Sequence, residues 1–576
     1  MAVASTVVLA AWPSGAAAAP NEEGNAACPG EEVFYDPGNG EDVAVPRGYK
    51  VEVFAKNLNF PTAVAFEGTA NHFKVHVLES GTGLPGRCNT NENNVFGGKF
   101  SPTNPFTPDL LTFAQNGRRI AGPLGKPTAA GGGFQPDGPA VGLALQRNFG
   151  GGTLFATDSN QGARGATGKG NNTSRIVVVD SRKGRVRRFI SGLPTGDHPT
   201  EQVVVQGGWI YWSQGSATNS GVTGHDNGAG GNQHDIACQD VTLSQNTWDS
   251  GDGHVTSGYS NHGVARPGAN VKAFEDATKP GMCTGAILRA KIGAREPADT
   301  IEPFSWGYRN PFGLRFAPRK HPLEGGLLVS ENGEDERGAR PVNNSPDRLA
   351  VAEQNTDGSP DFHGWPNRFG FLDSTQAVFN PIGGPGDDNP TALKGKPVLP
   401  VFAFPPQPPV APLALEPADV AAVGLDFAPR AFAGEVVKPG AALVAREGDF
   451  GFSPSNGDPE AGHDIELVNF ARARGGPRVG LSRFAFNCPA ADQRHLPDGS
   501  PVCASESEQA FVQKVRGINR PVTAMFGPDG ALYLVDYGAV RDSGVSEADA
   551  KYQVADDAPL VQIPGTGVIW RISKVR

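Results

Sequence analysis

The chain has 576 residues, of which 77 are glycine and 50 are proline, while 19% are charged and 38% are apolar. So many turn-forming residues and so few charges argue against a helical bundle or a coiled coil, and indicate short strands joined by long loops. The formal net charge of −10 argues against a nucleic-acid partner, because nucleic-acid-binding proteins usually present a basic face.

The first twenty residues predict a signal peptide. Residues 2–12 are mostly apolar and lead into an alanine-rich stretch, as in a secretory signal, although the basic start of such a signal is missing. A flexible alanine-rich terminus is the alternative. No later stretch has the ~18 consecutive apolar residues of a membrane span. We therefore expect a secreted or periplasmic protein, with a signal peptide at 1–20, an extension at 21–47 and one domain at 48–576.

The cysteines are even in number and widely spaced. They are Cys28, Cys88, Cys238, Cys283, Cys488 and Cys503. None forms a Cys-x-x-Cys pair, which argues against a zinc ribbon, thioredoxin chemistry and covalently attached haem. Export would favour disulfides, and Cys238–Cys283 and Cys488–Cys503 are the pairs that we prefer, although the sequence leaves the connectivity open.

A two-part pattern recurs along the chain: an apolar strand, a turn that usually contains glycine, and a second apolar strand. Its six copies are Pro61–Phe66 with Phe73–Ser80, Ala140–Leu145 with Gly152–Asp158, Thr200–Val205 with Gly208–Gln214, Arg309–Phe316 with Gly325–Asn332, Val420–Phe427 with Ala441–Glu447, and Arg520–Phe526 with Ala531–Tyr537. Outer strands follow several copies, for example at Ser174–Asp180. Repeated antiparallel units of this kind are typical of propellers.

The repeats predict an all-β fold, a six-bladed β-propeller with long loop insertions. The strand Gly48–Leu58 precedes the first repeat and only Gly567–Ser573 follows the sixth, so we expect the N-terminal strand to close the last blade. The repeats lie further apart than the ~40–50 residues of compact blades, which predicts large insertions at about 215–283 and 333–408. Two unrelated β-domains are the alternative interpretation.

Polar and charged residues cluster where first strands begin and second strands end, which in a propeller is the mouth of the central channel. The motifs are Asp197-His198-Pro199, Arg309-Asn310-Pro311, Ser330-Glu-Asn-Gly333 and Gly364-Trp-Pro366. In these motifs the sequence resembles the soluble glucose/sorbosone dehydrogenase family, six-bladed propellers that hold pyrroloquinoline quinone (PQQ) with calcium. The resemblance runs from about Gly48 to the C-terminus and is interrupted by the insertions.

The resemblance implies that His198 is the catalytic base and that Asp197 orients its imidazole. Oxidation of a sugar hydroxyl by hydride transfer needs a group that accepts the hydroxyl proton, and histidine titrates near the working pH. A histidine that only satisfies a turn at the strand entrance is the alternative.

The cofactor-binding residues implied by the resemblance are Arg309, Asn310, Asn332, Gly333, Arg446, Arg520 and Gln135. The quinone carries three carboxylates, so planar guanidinium groups suit it, and Asn310 can hydrogen-bond to its oxygens. A structural cap before Pro311 is the alternative role for Asn310. Ordinary surface charges are the alternative for Arg446 and Arg520, and Gln135 is the weakest candidate of the set.

The resemblance also implies that the carbonyls of Gly333 and Glu334 bind calcium, an ion that prefers oxygen ligands. The sequence departs from the family here, because a less acidic residue is expected at Glu334 and an acid where Arg348 stands. The four histidines of the 215–283 insertion are irregularly spaced, which favours a solvated loop over a metal site.

Together these features predict a quinoprotein dehydrogenase that oxidises a sugar or polyol and passes its electrons to an external acceptor. Two alternatives remain open. One is a propeller without catalysis that binds glycans or proteins, which a channel mouth without converging arginines would favour. The other is a calcium-dependent propeller lactonase, which would need acidic and asparagine side chains around an ion.

Overall fold

The computed structural model describes most of the chain. The described residues are 37–81, 100–101, 103–148, 151–160, 173–224, 234–251, 253–335, 338–340, 342, 345–370, 372–373, 398–448, 461–474, 476–504, 516–538, 540–542, 560–562 and 564–575. The predicted signal peptide, most of the predicted extension, Cys28 and Cys88 lie outside them.

The described strands form a six-bladed β-propeller, as predicted, and the first three blades follow one another directly along the chain. Blade 1 consists of Pro61–Thr69, His72–Glu79, Asp109–Ala114 and Arg119–Leu124. Blade 2 consists of Leu143–Asn148, Gly151–Asp158, Ser174–Val179 and Val186–Leu193. Blade 3 consists of Thr200–Gln206, Trp209–Gln214, Ala286–Lys291 and Glu302–Trp306, with the short parallel strand Asp361–Phe362 at its outer edge.

The other three blades have the same antiparallel order. Blade 4 consists of Asn310–Phe316, Leu327–Asn332, Pro346–Ala352 and Ala414–Ala418. Blade 5 consists of Ala422–Phe427, Ala442–Arg446, Asp464–Ala473 and Gly476–Asn487, with Val43–Ala44 as a fifth strand. Blade 6 consists of Pro521–Phe526, Leu532–Asp536, Gly567–Lys574 and Tyr49–Leu58. All six predicted strand pairs are confirmed as the first and second strands of the blades.

Blade 6 joins the two ends of the chain. Its outer strand Tyr49–Leu58 pairs antiparallel with Gly567–Lys574, from Tyr49 opposite Lys574 to Leu58 opposite Gly567. The predicted closure by the N-terminal strand is therefore confirmed. Closure of this kind removes the two free sheet edges that an open ring of blades would expose.

Hydroxyl side chains connect neighbouring blades around the channel. Each of five Ser or Thr side chains donates a hydrogen bond to a carbonyl of the next blade, four of them in its first strand and one, Ala140, just before it. The bonds are Thr62 to Ala140 (2.8 Å), Thr157 to Glu201 (2.8 Å), Ser213 to Phe312 (3.0 Å), Ser330 to Val423 (2.5 Å) and Thr523 to Thr62 (2.8 Å). Between blades 5 and 6, Gly424 lies so close to the next blade that a Cβ there would be 2.7 Å from the Val522 carbonyl oxygen. These contacts hold the inner strands in a closed ring.

The two predicted insertions pack against each other on the side where first strands begin. Leu243 and Phe402 form an isolated bridge between them, and Ser244 N donates to the Val401 carbonyl at 2.7 Å. The first insertion contains two short ribbons, Val241–Thr242 with Asn270–Val271 and Trp248–Gly251 with His254–Thr256. The range 333–408 also includes the third strand of blade 4, so the loop there is divided into two segments.

The remaining elements lie outside the six sheets. Three further ribbons and a 3₁₀ turn are Arg368–Phe369 with Leu372–Asp373, Gln493–His495 with Pro501–Cys503, Val540–Asp542 with Leu560–Gln562, and Pro297–Thr300. Disulfides join Cys238 to Cys283 and Cys488 to Cys503, which confirms both preferred pairs. Among the described residues, no helix has the length and apolar character needed to cross a membrane.

Candidate functional site

His198 and Asp197 lie immediately before the first strand of blade 3, at the channel mouth. The His198 Nδ1 atom is 3.5 Å from Asp197 Oδ2, and the side chain of His198 keeps 15% of its surface exposed. Gly215 lets the two strands of the blade meet here, because a Cβ at this position would lie 2.2 Å from His198 Cβ and 3.3 Å from Asn310 Oδ1. The sequence-predicted base, its acidic neighbour and Asn310 are therefore brought together.

Arg309 is buried at the start of blade 4 and connects this pair to the next turn. Its Nη2 atom donates to Asp335 Oδ2 at 2.6 Å and lies 3.7 Å from Asp197 Oδ2, while Nη1 donates to the Gly333 carbonyl. Its backbone N–H donates to Glu331 Oε1 at 2.7 Å. The guanidinium thus sits between two carboxylates, which fix its plane at the channel mouth.

Two buried polar atoms in this cluster have no hydrogen-bond partner among the described residues: Arg309 Nε and Asn310 Oδ1. The Asn310 amide nitrogen does donate, to Asn332 Oδ1 at 3.0 Å, and Asn332 in turn donates to the Ala422 carbonyl at 2.8 Å. Buried polar groups are normally satisfied, so an unmet donor and an unmet acceptor on consecutive residues make this strand start a candidate place for a polar ligand.

A turn from the blade 3 insertion forms one wall of the site. His198 N donates to the Ser216 carbonyl at 3.0 Å, and Ser216 N donates to the Arg309 carbonyl at 2.8 Å. Asn219 and Asp335 exchange two hydrogen bonds, of 2.8 and 3.1 Å. Sequence reasoning assigned no role to Asn219, because this turn carries no recognisable motif.

Arg520 approaches the mouth from blade 6, and Glu447 from blade 5. Arg520 is 8% exposed and its Nη1 donates to the Gly448 carbonyl at 3.1 Å. Burial raises the pKa of Glu447 to about 7, and the nearby positive charge of Arg520 opposes that rise. Glu447 was not predicted as a site residue, although it directly follows Arg446, and alternation along the strand could have found it.

Glu447 also acts across the channel. Burial raises the pKa of Glu201 well above its ordinary value, and the negative charge of Glu447 adds to that effect. Glu201 belongs to blade 3 and Glu447 follows the second strand of blade 5, which are not neighbours, so the two carboxyl groups influence each other through the channel. A second connection across it, from Gln202 Nε2 to Thr523 Oγ1 at 3.1 Å, joins blades 3 and 6.

Arg446 has a different set of partners. Its guanidinium donates to both carboxylate oxygens of Asp464, at 2.6 and 2.5 Å, and lies 3.3 Å from Glu416 and 3.4 Å from Glu466. The contacts of Arg446 are thus with blades 4 and 5, and none of these partners belongs to the cluster around Arg309.

Gln135 lies before blade 2, and its amide is used within that blade. The Nε2 atom donates to the carbonyls of Asp158 and Thr173, at 2.9 Å each, and the backbone N–H donates to the Asp158 carboxylate at 3.0 Å. None of these contacts reaches the cluster around Arg309.

The predicted calcium residues are engaged within the chain. The Gly333 carbonyl accepts from Arg309, and the Glu334 carbonyl accepts from Ser345 N at 2.9 Å. The buried Glu334 carboxyl accepts from the Ser345 hydroxyl. Burial raises the pKa of Glu334 to about 7 and that of Asp347, which accepts from Gly333 N at 2.7 Å, to about 8. Within the described ranges, no group of three or more His, Cys, Asp or Glu side chains is arranged to hold a metal ion.

Arg348, where the sequence departs from the family, is paired with Glu331. Its guanidinium also donates to the backbone carbonyls of His363 and Gly307, at 2.7 and 3.1 Å. Both members of the pair are buried, so the unexpected positive charge is neutralised inside blade 4.

No family model matches the chain, and none of the curated proteins does. Solved structures that it is similar to include a carbohydrate-active enzyme of family AA12 from Trichoderma reesei, at 13% identity and a TM-score of 0.45, covering 94% of this chain and 99% of that one. The soluble aldose sugar dehydrogenase from Escherichia coli shows 11% identity and a TM-score of 0.44, covering 91% and 99%. A glucose dehydrogenase shows 11% identity and a TM-score of 0.41, covering 91% and 99%. At these identities and TM-scores, none of the three assigns an activity to this chain.

Proposed function

We propose that the protein is an oxidoreductase that oxidises a sugar or polyol hydroxyl, with PQQ as the hydride acceptor and a separate molecule as the final electron acceptor. The observation that carries this proposal is the connected set His198, Asp197, Arg309 and Asp335 at the channel mouth. Next to it lie the unmet donor Arg309 Nε and the unmet acceptor Asn310 Oδ1. A proton acceptor, an anion-binding group and unmet polar atoms in one place are what this chemistry needs.

The residues of the chain have distinct roles in this reaction. Asp197 Oδ2 lies 3.5 Å from His198 Nδ1, so we assign acceptance of the substrate's hydroxyl proton to the other ring nitrogen, Nε2. The Asp197 carboxylate then stabilises the imidazolium that forms, as an adjacent negative charge does. Two electrons leave the substrate carbon as hydride while the hydroxyl proton passes to His198, which balances the oxidation of an alcohol to a carbonyl.

Four side chains would hold the quinone: Arg309, Asn310, Asn332 and Arg520. Arg309 would donate its Nε–H to the quinone, since its two Nη atoms are engaged by the Gly333 carbonyl and Asp335. Arg520 would pair with a carboxylate of the quinone, and the two asparagines would hydrogen-bond to its oxygens. When bound, PQQ supplies a two-electron hydride acceptor. Calcium stays a prediction from the resemblance, since the Gly333 carbonyl accepts a hydrogen bond from Arg309.

The test compares two variants of the full chain, supplied with PQQ and excess calcium and assayed with a sugar and an artificial dye. His198→Ala should lower turnover by about 10²–10⁴-fold, the usual contribution of a positioned base, and leave PQQ affinity nearly unchanged. His198→Gln should do the same, because it restores bulk without basicity. Arg309→Ala should weaken PQQ binding first, because it removes a buried cation.

A thermal-shift measurement separates this function from the alternatives. PQQ should raise the melting temperature of the wild-type chain by mass action, and less so that of Arg309→Ala. No shift in melting temperature at saturating PQQ would favour the propeller without catalysis. Arg446, which was predicted to bind the cofactor, is instead paired with Asp464, so this outcome needs to be tested. Full dye-linked activity in His198→Ala would refute the assignment of the base.

We also propose that the protein is exported, with residues 1–20 as a signal peptide, 21–47 as an extension and 48–576 as the propeller domain. The disulfides Cys238–Cys283 and Cys488–Cys503 support export, because such bonds persist in oxidising compartments. Val43 and Ala44, within the extension, pair with blade 5. N-terminal sequencing of the secreted protein tests the cleavage position.

A further inference from the structure

Asp235 is a buried acid in the blade 3 insertion, outside every motif that the sequence offered. It is 2% exposed, and its two carboxylate oxygens accept three hydrogen bonds. Oδ1 accepts from Ala217 N at 2.7 Å and from Thr284 Oγ1 at 2.8 Å, and Oδ2 accepts from Thr218 Oγ1 at 2.5 Å. Two of the three donors belong to the turn Ser216–Asn219, which is itself buried.

The same turn holds the backbone of the proposed base. Asp197 N donates to the Ala217 carbonyl at 2.9 Å, and His198 N donates to the Ser216 carbonyl at 3.0 Å. Ala217 therefore connects the two acids: its N–H donates to the Asp235 carboxylate, and its carbonyl accepts from the backbone N–H of Asp197. A shift of this turn would move Asp197 and His198 with it.

Asp235 is anchored on its other side as well. Thr284 follows Cys283, whose disulfide to Cys238 joins the two halves of the insertion. The Thr284 hydroxyl also accepts from Ile236 N at 2.9 Å, so the carboxylate is tied to a covalently closed segment. The turn is thus attached through Asp235 to a segment that the disulfide holds in place.

The electrostatics agree with this placement. Burial raises the pKa of Asp235 to about 6, its three donors oppose the rise, and the negative charge of Asp197 adds to it. The effect of Asp197 indicates that the two carboxyl groups lie within electrostatic reach. Burying a carboxylate costs free energy unless the group is well hydrogen-bonded, and the three donors around Asp235 meet that condition.

We propose that Asp235 is a positioning residue, which fixes the turn Ser216–Asn219 and through it the orientation of Asp197 and His198 for proton transfer. This inference rests on the function proposed above, because His198 is taken as the base. Among the described residues, the Asp235 carboxylate accepts its hydrogen bonds from the turn and from Thr284, and it therefore acts through them.

The first arm of the test needs no activity. In the full chain with its disulfides intact, Asp235→Ala should accelerate amide hydrogen exchange at residues 195–199 and 215–219 by at least about tenfold, because both segments lose their anchor. Asp109→Asn is the matched control, since Asp109 is a buried carboxylate in blade 1 that pairs with Lys126 at 3.0 Å. Unchanged exchange in these segments, or equal acceleration in the control, would overturn the proposal.

The second arm measures turnover with PQQ and dye. Asp235→Ala should lower kcat by about 10²-fold, the cost of misplacing a reacting group by about 1 Å, with KM changed by less than about threefold. Asp235→Asn keeps one acceptor oxygen and should recover part of the loss. A kcat no lower than that of Asp109→Asn would overturn the positioning role. A wild-type chain without activity would instead reject the proposed function, and the exchange arm would then decide the inference alone.

Discussion

Removal of Gly567–Arg576 is expected to unfold the whole propeller rather than to trim its end. Gly567–Lys574 is the third strand of blade 6 and lies between Leu532–Asp536 and Tyr49–Leu58. Its four core side chains, Val568, Ile569, Trp570 and Ile572, are each at most 1% exposed. At ~1.5–3 kcal/mol for each large apolar side chain, their burial contributes about 6–12 kcal/mol. That equals the net stability of a typical domain, ~5–15 kcal/mol.

The truncation removes more stability than these four side chains contribute, because the strand Tyr49–Leu58 would also lose its partner in blade 6, which is the deleted strand. Circular dichroism melting and size-exclusion chromatography of the truncated and full chains test the prediction. Removal of only the last two residues is the control, since Val575 is 53% exposed. A chain without Gly567–Arg576 that melts like the full chain would refute closure as the source of stability.

Three further predictions follow from single polar side chains. Ser330→Ala should destabilise the fold by ~1–3 kcal/mol, since it leaves a buried N–H without its acceptor, and thermal melting against wild type measures this. Burial and the neighbouring Glu416 raise the pKa of Glu466 to about 10, so the folded state keeps this proton and stability falls as pH rises from about 4.5 towards 10. Glu466→Gln should therefore gain melting temperature relative to wild type between pH 6 and 9, and a constant difference would contradict this. Because the pKa of Glu447 is about 7, PQQ affinity should weaken as pH rises through 7, and in Glu447→Gln, followed by fluorescence titration, it should not.

The fold was predictable because its signals are local. Each blade begins with two apolar strands that are consecutive in the sequence. A short turn joins them in most blades, and Phe526-Gly-Pro-Asp-Gly-Ala-Leu shows the pattern most clearly, while longer loops join them in blades 4 and 5. Closure was predictable by counting, since one strand precedes the first repeat and one follows the sixth. The long insertions make the distance between repeats irregular along the sequence, but the first and second strands of each blade remain consecutive and can still be recognised.

The residues of the candidate site that the sequence could suggest lie at strand ends. His198 and Arg309 each stand at the start of a first strand, so the fold alone brings them to one mouth. Asn219 and Asp235 belong to an insertion whose path depends on tertiary contacts and on the Cys238–Cys283 disulfide. No periodic pattern along the sequence encodes such a path, so only the structure shows which residues these two side chains contact.

The placement of Arg446 follows from strand register. Arg446 is the last residue of the second strand of blade 5 and lies opposite Ala422 on the first strand. Glu331 is the residue before the last on the second strand of blade 4 and lies opposite Pro311. Both side chains pair with an opposite charge directly across on the third strand, Arg446 with Asp464 and Glu331 with Arg348. The signs of the two charges in the blade 5 pair are therefore the reverse of those in blade 4. The sign of a charge at a strand end thus does not reveal whether that side chain faces the channel or the neighbouring strand. Because side chains alternate along a strand, blade 5 presents Glu447 to the channel. The mouth gains a carboxyl group at the point where a cation was predicted, so binding of a carboxylate-rich cofactor should depend on the protonation of Glu447.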